Sequence, residues 1–162
     1  MVQVYIELGG NLGDVHASLD TALAEIESRI APLSSRSSRY LTEPWGFADQ
    51  PDFVNMCVGL ETKMNPWVML DILQEIERTL GRVRGLNRNG ARTLDIDILF
   101  YGHMIFEGQW LEVPHPRMSN RRFVLEPLAE IAGEFVHPVL QRSMTELLAA
   151  CTDSLKVEKW SG

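Results

Sequence analysis

Asp95 and Asp97 stand two residues apart in "RTLDIDILFY", directly after a run that holds Arg82, Arg84, Arg88 and Arg92. In a strand, alternate side chains share a face, so the two carboxylates would project together, their Cα atoms about 6.6 Å apart, while Ile96 points the other way. Hard divalent cations favour such oxygens, and Mg²⁺ commonly takes one or two carboxylates plus substrate phosphates. The arginines suit the same substrate, because a guanidinium fork grips phosphate oxygens through parallel charge-assisted hydrogen bonds. The local pattern also allows a plainer reading, in which Arg88 and Arg92 only neutralise Asp95 and Asp97.

A second basic group lies downstream. His115 sits between Pro114 and Pro116, which restrict its backbone, and Arg117, Arg121 and Arg122 follow closely. Such a histidine can donate to a phosphate, although a loop histidine is also often simply exposed or hydrogen-bonded. His16, His103 and His137 have no comparable company and read as structural. "GGNLGD" lacks both the Lys-Ser/Thr ending of a P-loop and the spacing of a dinucleotide fingerprint, so it reads as a turn. Glu77 falls on the polar side of its helix, where a carboxylate is ordinarily solvated.

These residues need elements to position them. "VQVYIEL" alternates as a strand, and the helix after "GGNLGD" carries Leu19, Ala22, Leu23, Ile26 and Ile30 at helical spacing. "PLSSRSSRYLTEP" reads as an extended segment. "FVNMCVGLE" then alternates, with Val54, Met56, Val58 and Leu60 on one face and Phe53, Asn55 and Cys57 on the other. Asn65 and Pro66 open a helix whose stripe is Met69, Leu73, Ile76 and Leu80, with Gly81 as its stop. "LDIDILF" is expected to bury Leu94, Ile96, Ile98 and Phe100 on one face. The order strand, helix, strand, strand, helix, strand predicts an α+β fold with a ferredoxin-like βαββαβ core. After it comes a C-terminal extension with a short hairpin around "IFEGQWLEV" and short helices at "SNRRFVLEPL" and "MTELLAAC".

Composition bounds the partners. At 162 residues and 45% hydrophobic content the chain suits a single domain, 1–162, with a real core. Its formal charge of −7 argues against a general binder of nucleic acid or anionic membrane, so any anion site must be local. No apolar run approaches the roughly 18 residues of a membrane span, and "MVQVYIELGG" lacks signal-peptide features, so a cytoplasmic location is expected. Cys57 and Cys151 read as reduced thiols.

Taken together, the motifs carry a resemblance over nearly the whole chain. "RNGARTLDIDIL" resembles the signature of the 6-hydroxymethyl-7,8-dihydropterin pyrophosphokinase family of folate biosynthesis, in which a basic residue and a small-residue turn precede Arg-x-x-Asp-x-Asp. "GGNLGD" is similar to that family's first strand-helix turn, "TEPWG" to its first substrate loop and "QPDFVN" to the following strand. "EIERTLGRVR" is similar to its second helix and loop, and "VPHPRMSNRRFVLEPLAEIA" to its C-terminal segment. Gly10 stands where the family often has Ser, Ala91 and Gly133 where it often has Pro, and Asn89 where some members have Trp.

The resemblance implies transfer of the pyrophosphoryl group of ATP to the hydroxymethyl group of the reduced pterin, with release of AMP. It implies that Asp95 and Asp97 bind two Mg²⁺ ions and, with Arg82 and Arg92, carry the catalysis. Arg82, Arg84, Arg92, His115 and Arg121 would contact or neutralise the triphosphate, and Gln74, Glu77 and Ile98 would help form the nucleotide pocket. The pterin would be read by Asn55 and by backbone near Thr42 and Trp45, with Phe53 and Phe123 as aromatic surface. A flat heterocycle needs such stacking faces and a few fixed polar groups. A monomer acting on small molecules is expected, without nucleic-acid or membrane partners. Two other readings compete: a ferredoxin-like RNA-binding module, which would show base-stacking aromatics and a basic sheet face, and a non-catalytic scaffold.

Overall fold

The computed structural model describes residues 1–44, 49–81 and 93–162. Trp45, Arg82, Arg84, Arg88, Asn89, Ala91 and Arg92 therefore lie outside the described residues. Strand β1 (Val2–Gly10) leads into α1 (Val15–Arg29), whose N-terminus is capped by Asp14 accepting from the Ala17 N–H at 3.0 Å. The turn between them uses Gly13 at φ 67°, a conformation open to glycine without strain. Two short strands follow, β2 (Leu33–Arg36) and β3 (Tyr40–Thr42), and then the long β4 (Phe53–Thr62). Helix α2 (Pro66–Thr79) starts as its sequence predicts, with the Asn65 side chain accepting from Trp67 N–H at 2.8 Å and Pro66 in the first turn. Strand β5 (Asp95–Tyr101) and the hairpin β6 (Phe106–Glu107) and β7 (Glu112–Val113) come next. A 3₁₀ turn (Met118–Asn120), α3 (Arg122–Ala132), α4 (Met144–Ala150) and β8 (Val157–Lys159) complete the chain.

The main sheet runs β5-β1-β4-β3-β8, with β2 also paired to β4, and all of these pairings are antiparallel. Both of its faces are covered. Val4, Ile6 and Leu8 of β1, with Val54, Met56, Val58 and Leu60 of β4, pack on one side against the apolar stripes of α1 and α2. Cys57, Leu99 and Phe100 pack on the other side against Val124, Leu125 and Leu128 of α3 and Leu147 of α4. Each such side chain, buried in full, contributes roughly 1.5–3 kcal/mol, so the two layers together fix which way every strand faces.

Two expectations need correction, and one strand is additional to them. Phe100 lies on the face opposite to Ile96 and Ile98, because β1 and β5 lose register there: Tyr5 pairs with Phe100 but Ile6 with Ile98. Leu99 is thus an extra residue, and a bulge of this kind reverses the alternation beyond it. The extended segment before Pro44 is two strands rather than one, since Leu33–Arg36 and Tyr40–Thr42 pair with different stretches of β4. Strand β8 was not anticipated; it adds to the β3 edge through Val157, Glu158 and Lys159.

Candidate active site

The sheet face that meets α3 is apolar over only part of its length. Register sets its remaining residues in rows: Asp97 and Cys57 each oppose Glu7 from either side, then come Asp95, Gly9, Asn55 and Tyr40, with Phe53 opposite Thr42 beyond them. Opposed residues of an antiparallel pair project to the same side, so Asp95, Asp97, Glu7, Asn55 and Thr42 share one surface. The expected pairing of the aspartates holds. Both are partly buried, and Ile96 between them enters the opposite core.

Helix α2 braces this strand from its outer edge. Glu77, which its place on the polar side of the helix would leave solvated and which the resemblance puts at the nucleotide pocket, is only 1% exposed, and its Oε2 accepts the Ile96 N–H at 2.6 Å. The cause is topological: β5 ends the sheet, so this amide meets no further strand and takes its acceptor from the adjacent helix. Gln74, one turn earlier on α2, is partly exposed. The Ile98 side chain lies in the core with α1 and α2, so only its backbone remains at the β5 edge.

Sequence reasoning passed over Glu7. It is 4% exposed, and its Oε1 accepts from Asn55 Nδ2 at 2.7 Å. Burial and then the charge of Asp97 push its carboxyl up to about 8; the Asn55 hydrogen bond opposes this, Asp95 adds to it and Arg121 offsets a little. An available signal was one acidic residue between Ile6 and Leu8 in an otherwise apolar strand. Beside it, Asn55 Oδ1 and Thr42 Oγ1 are buried with no hydrogen-bond partner among the described residues. Buried polar atoms left unpaired cost about 1–3 kcal/mol each, which suits a surface built to receive polar ligand atoms. Asn11, in the turn after β1, donates to Gln50 Oε1 and to the Pro51 carbonyl, both at 2.9 Å, and so ties the approach to Phe53 against the end of β1.

The basic group is assembled from the segment after β7. The His115 N–H donates to the Leu99 carbonyl at 2.9 Å, lacing this segment to β5, and its Nδ1 accepts from Arg117 N–H at 3.2 Å. Burial, then the charges of Arg121 and Arg117, hold the imidazole down at about 4, so it is neutral near pH 7. Arg121 lies with its guanidinium carbon 5.6 Å from the centre of the Phe123 ring. Arg122 does not join the cluster. It bonds the Asp153 and Cys151 carbonyls at 3.1 Å each and anchors the C-terminal segment.

A family model described as 7,8-dihydro-6-hydroxymethylpterin-pyrophosphokinase (HPPK) matches residues 5–133, which contain every one of these site residues. The chain belongs to the HPPK family. It is 45% identical to the 2-amino-4-hydroxy-6-hydroxymethyldihydropteridine pyrophosphokinase of Haemophilus influenzae over 94% of this chain and 95% of that protein. With the protein of the same name from Bacillus subtilis the identity is 42%, over 96% and 89%. Among solved structures, a Plasmodium falciparum HPPK-DHPS chain with pteroate superposes with a TM-score of 0.76 at 15% identity, covering 92% of this chain. This chain spans 44% of that longer one, and the likeness speaks for the fold. The HPPK match thus spans both sides of the site, the carboxylates on β5 and the basic segment before α3.

Proposed function

We propose that this chain uses the surface around Asp95, Asp97 and Asn55 for the reaction of its family, transfer of the pyrophosphoryl group of ATP to the hydroxymethyl group of 6-hydroxymethyl-7,8-dihydropterin in folate biosynthesis. It is an ATP-dependent pyrophosphokinase, with ATP as co-substrate. Membership of an enzyme family sets aside the RNA-binding and scaffold readings. The observation that carries the site assignment is one sheet face with paired carboxylates and a buried amide whose carbonyl oxygen has no partner among the described residues, bordered by the basic segment that His115 ties to β5.

The donor set fits Mg²⁺. In our reading Asp95 and Asp97, which share one face of β5, would hold two such ions; among the described residues no group of three or more His, Cys, Asp or Glu side chains is gathered as a ready-made metal cage. Phosphate oxygens and water would complete the shells, as is usual for this cation. When bound, the ions would neutralise phosphate charge and polarise the attacking hydroxyl. His115 and Arg121, with Arg82, Arg84 and Arg92, would take the phosphates. Gln74 and Glu77, with the backbone of Ile98 at the β5 edge, would border the base. Asn55 and the backbone near Thr42 and Trp45 would read the pterin, between Phe53 and Phe123.

The antiparallel order β5-β1-β4 with β2 and β3 beyond supports a ferredoxin-like core, and two apolar layers on one sheet support a single domain over 1–162. We further infer a cytoplasmic monomer: ATP is its co-substrate, Cys57 and Cys151 are free thiols, and the proposed carboxylate, amide and basic groups all lie within residues 5–133 of the chain. Among the described residues no helix is long and apolar enough to cross a membrane. The deciding experiment is chromatography of the nucleotide products. Given ATP, Mg²⁺ and the pterin, the protein is expected to release AMP and the pterin pyrophosphate in equal amounts; ADP as main product, or AMP without pterin consumption, would refute the reading.

A further inference from the structure

An asparagine amide is nearly symmetric in shape and opposite in hydrogen-bonding sense at its two ends, so a half-turn about its last bond exchanges donor and acceptor at almost no steric cost. A pocket that uses one to read a ring must therefore hold it in one sense. Here Asn55 Nδ2 donates to Glu7 Oε1 at 2.7 Å, and Oδ1 is buried with no hydrogen-bond partner among the described residues. Glu7 cannot drift, since it belongs to central strand β1 and is opposed to Cys57 on one side and Asp97 on the other.

Packing reinforces the bond. Gly9 is opposed to Asn55, and a Cβ on it would come within 2.1 Å of Asn55 Nδ2 and 3.0 Å of Glu7 Oε1. The amide thus lies directly over the β1 backbone, and only glycine leaves it that space. A carboxyl at position 7 is a poor choice for stability alone, because it is buried beside two other acidic groups, whereas an apolar residue would extend the adjoining core.

We propose that Glu7 is the positioning residue that sets pterin selectivity: by accepting from Asn55 Nδ2 it holds the Asn55 carbonyl oxygen as acceptor for a ring N–H of the pterin. This rests on the placement of Asn55 in the pterin pocket. The same bond fixes the plane of the amide, so one carboxyl orients both of its ends. Glu7 acts through Asn55 and does not touch the reacting atoms.

Steady-state kinetics on the native chain, Glu7→Ala, Glu7→Gln and Asn55→Ala test this. Glu7→Ala is expected to raise KM for the pterin about tenfold, the loss of one buried oriented hydrogen bond, with KM for ATP within about twofold of native. Glu7→Gln, whose carbonyl can still accept, should restore most of the pterin KM. In an Asn55→Ala background the Glu7→Ala change should add less than about twofold, because coupled residues are not additive. Glu7→Leu, which removes the acceptor but keeps bulk, carries the test if the alanine variant does not fold. An unchanged pterin KM, equal rises for both substrates, or a full tenfold effect without Asn55 would overturn the role of Glu7 while leaving the native activity in place. Failure of the native chain to turn over the pterin would overturn both.

Discussion

Asp97 faces Glu7 across the β1–β5 pair, and its charge helps to raise the Glu7 carboxyl to about 8. Acidic groups this close destabilise one another, which makes sense where a cation is to be received. Asp95→Ala and Asp97→Ala are accordingly expected to lower kcat by orders of magnitude while leaving the thermal midpoint unchanged or slightly higher. Paired measurement of kcat and unfolding temperature checks this, and near-native turnover in Asp97→Ala would remove it from the metal site. These aspartates were legible because a period of two and two equal charges are visible without a fold. Asn55 was legible only through the resemblance, since an alternating strand shows which face it takes but not what covers it. Glu7 was not, because a lone acid in a strand gains meaning only when register brings Asp97, Gly9 and Asn55 around it.

At the scale of elements, the active face depends on how α2 holds the edge of β5. The Glu77 carboxylate takes the Ile96 N–H, and that peptide lies between the two aspartates. Glu77→Ala leaves the amide buried without this acceptor and is expected to cost about 1–3 kcal/mol of stability, with faster exchange of the Ile96 amide. Glu77→Gln, whose amide oxygen can still accept, should recover much of both. Denaturant unfolding and amide exchange read the two effects, and protection of Ile96 equal to native in the alanine variant would show that the brace lies elsewhere. The elements themselves were readable where apolar periodicity and end signals agree, as in α2 with Asn65, Pro66 and Gly81. They were misread where tertiary register intervenes. Phe100 changed face because Leu99 is an extra residue against β1, and β8 was invisible because three residues on an edge carry almost no periodic signal.

For the molecule as a whole, the same basic cluster gives stability a dependence on pH. His115 titrates at about 4 in the folded chain against 6.5 for the free group, held there by burial and by Arg121 and Arg117. Below pH 6.5 the unfolded chain takes up a proton that the folded chain refuses. The contribution of His115 is therefore complete above pH 6.5 and is lost as pH falls towards 4, amounting to about 3 kcal/mol. Glu7 runs the other way: raised from 4.5 to about 8, it favours the folded state most below 4.5 and loses that contribution as pH rises through 8. Between pH 4.5 and 6.5 the two slopes oppose, so the native curve alone conceals both. His115→Asn, which keeps an acceptor near the Arg117 N–H but does not titrate, separates them. The difference in unfolding free energy between native chain and variant should be constant above pH 6.5 and shift in favour of the variant as pH is lowered to 4.5, the remaining carboxyls being common to both. Urea unfolding at pH 7.5, 6, 5 and 4.5 provides the measurement; a difference that stays constant over that range would show that His115 takes its proton as readily in the folded chain as in the unfolded one, so that burial and the neighbouring arginines together do not hold it down.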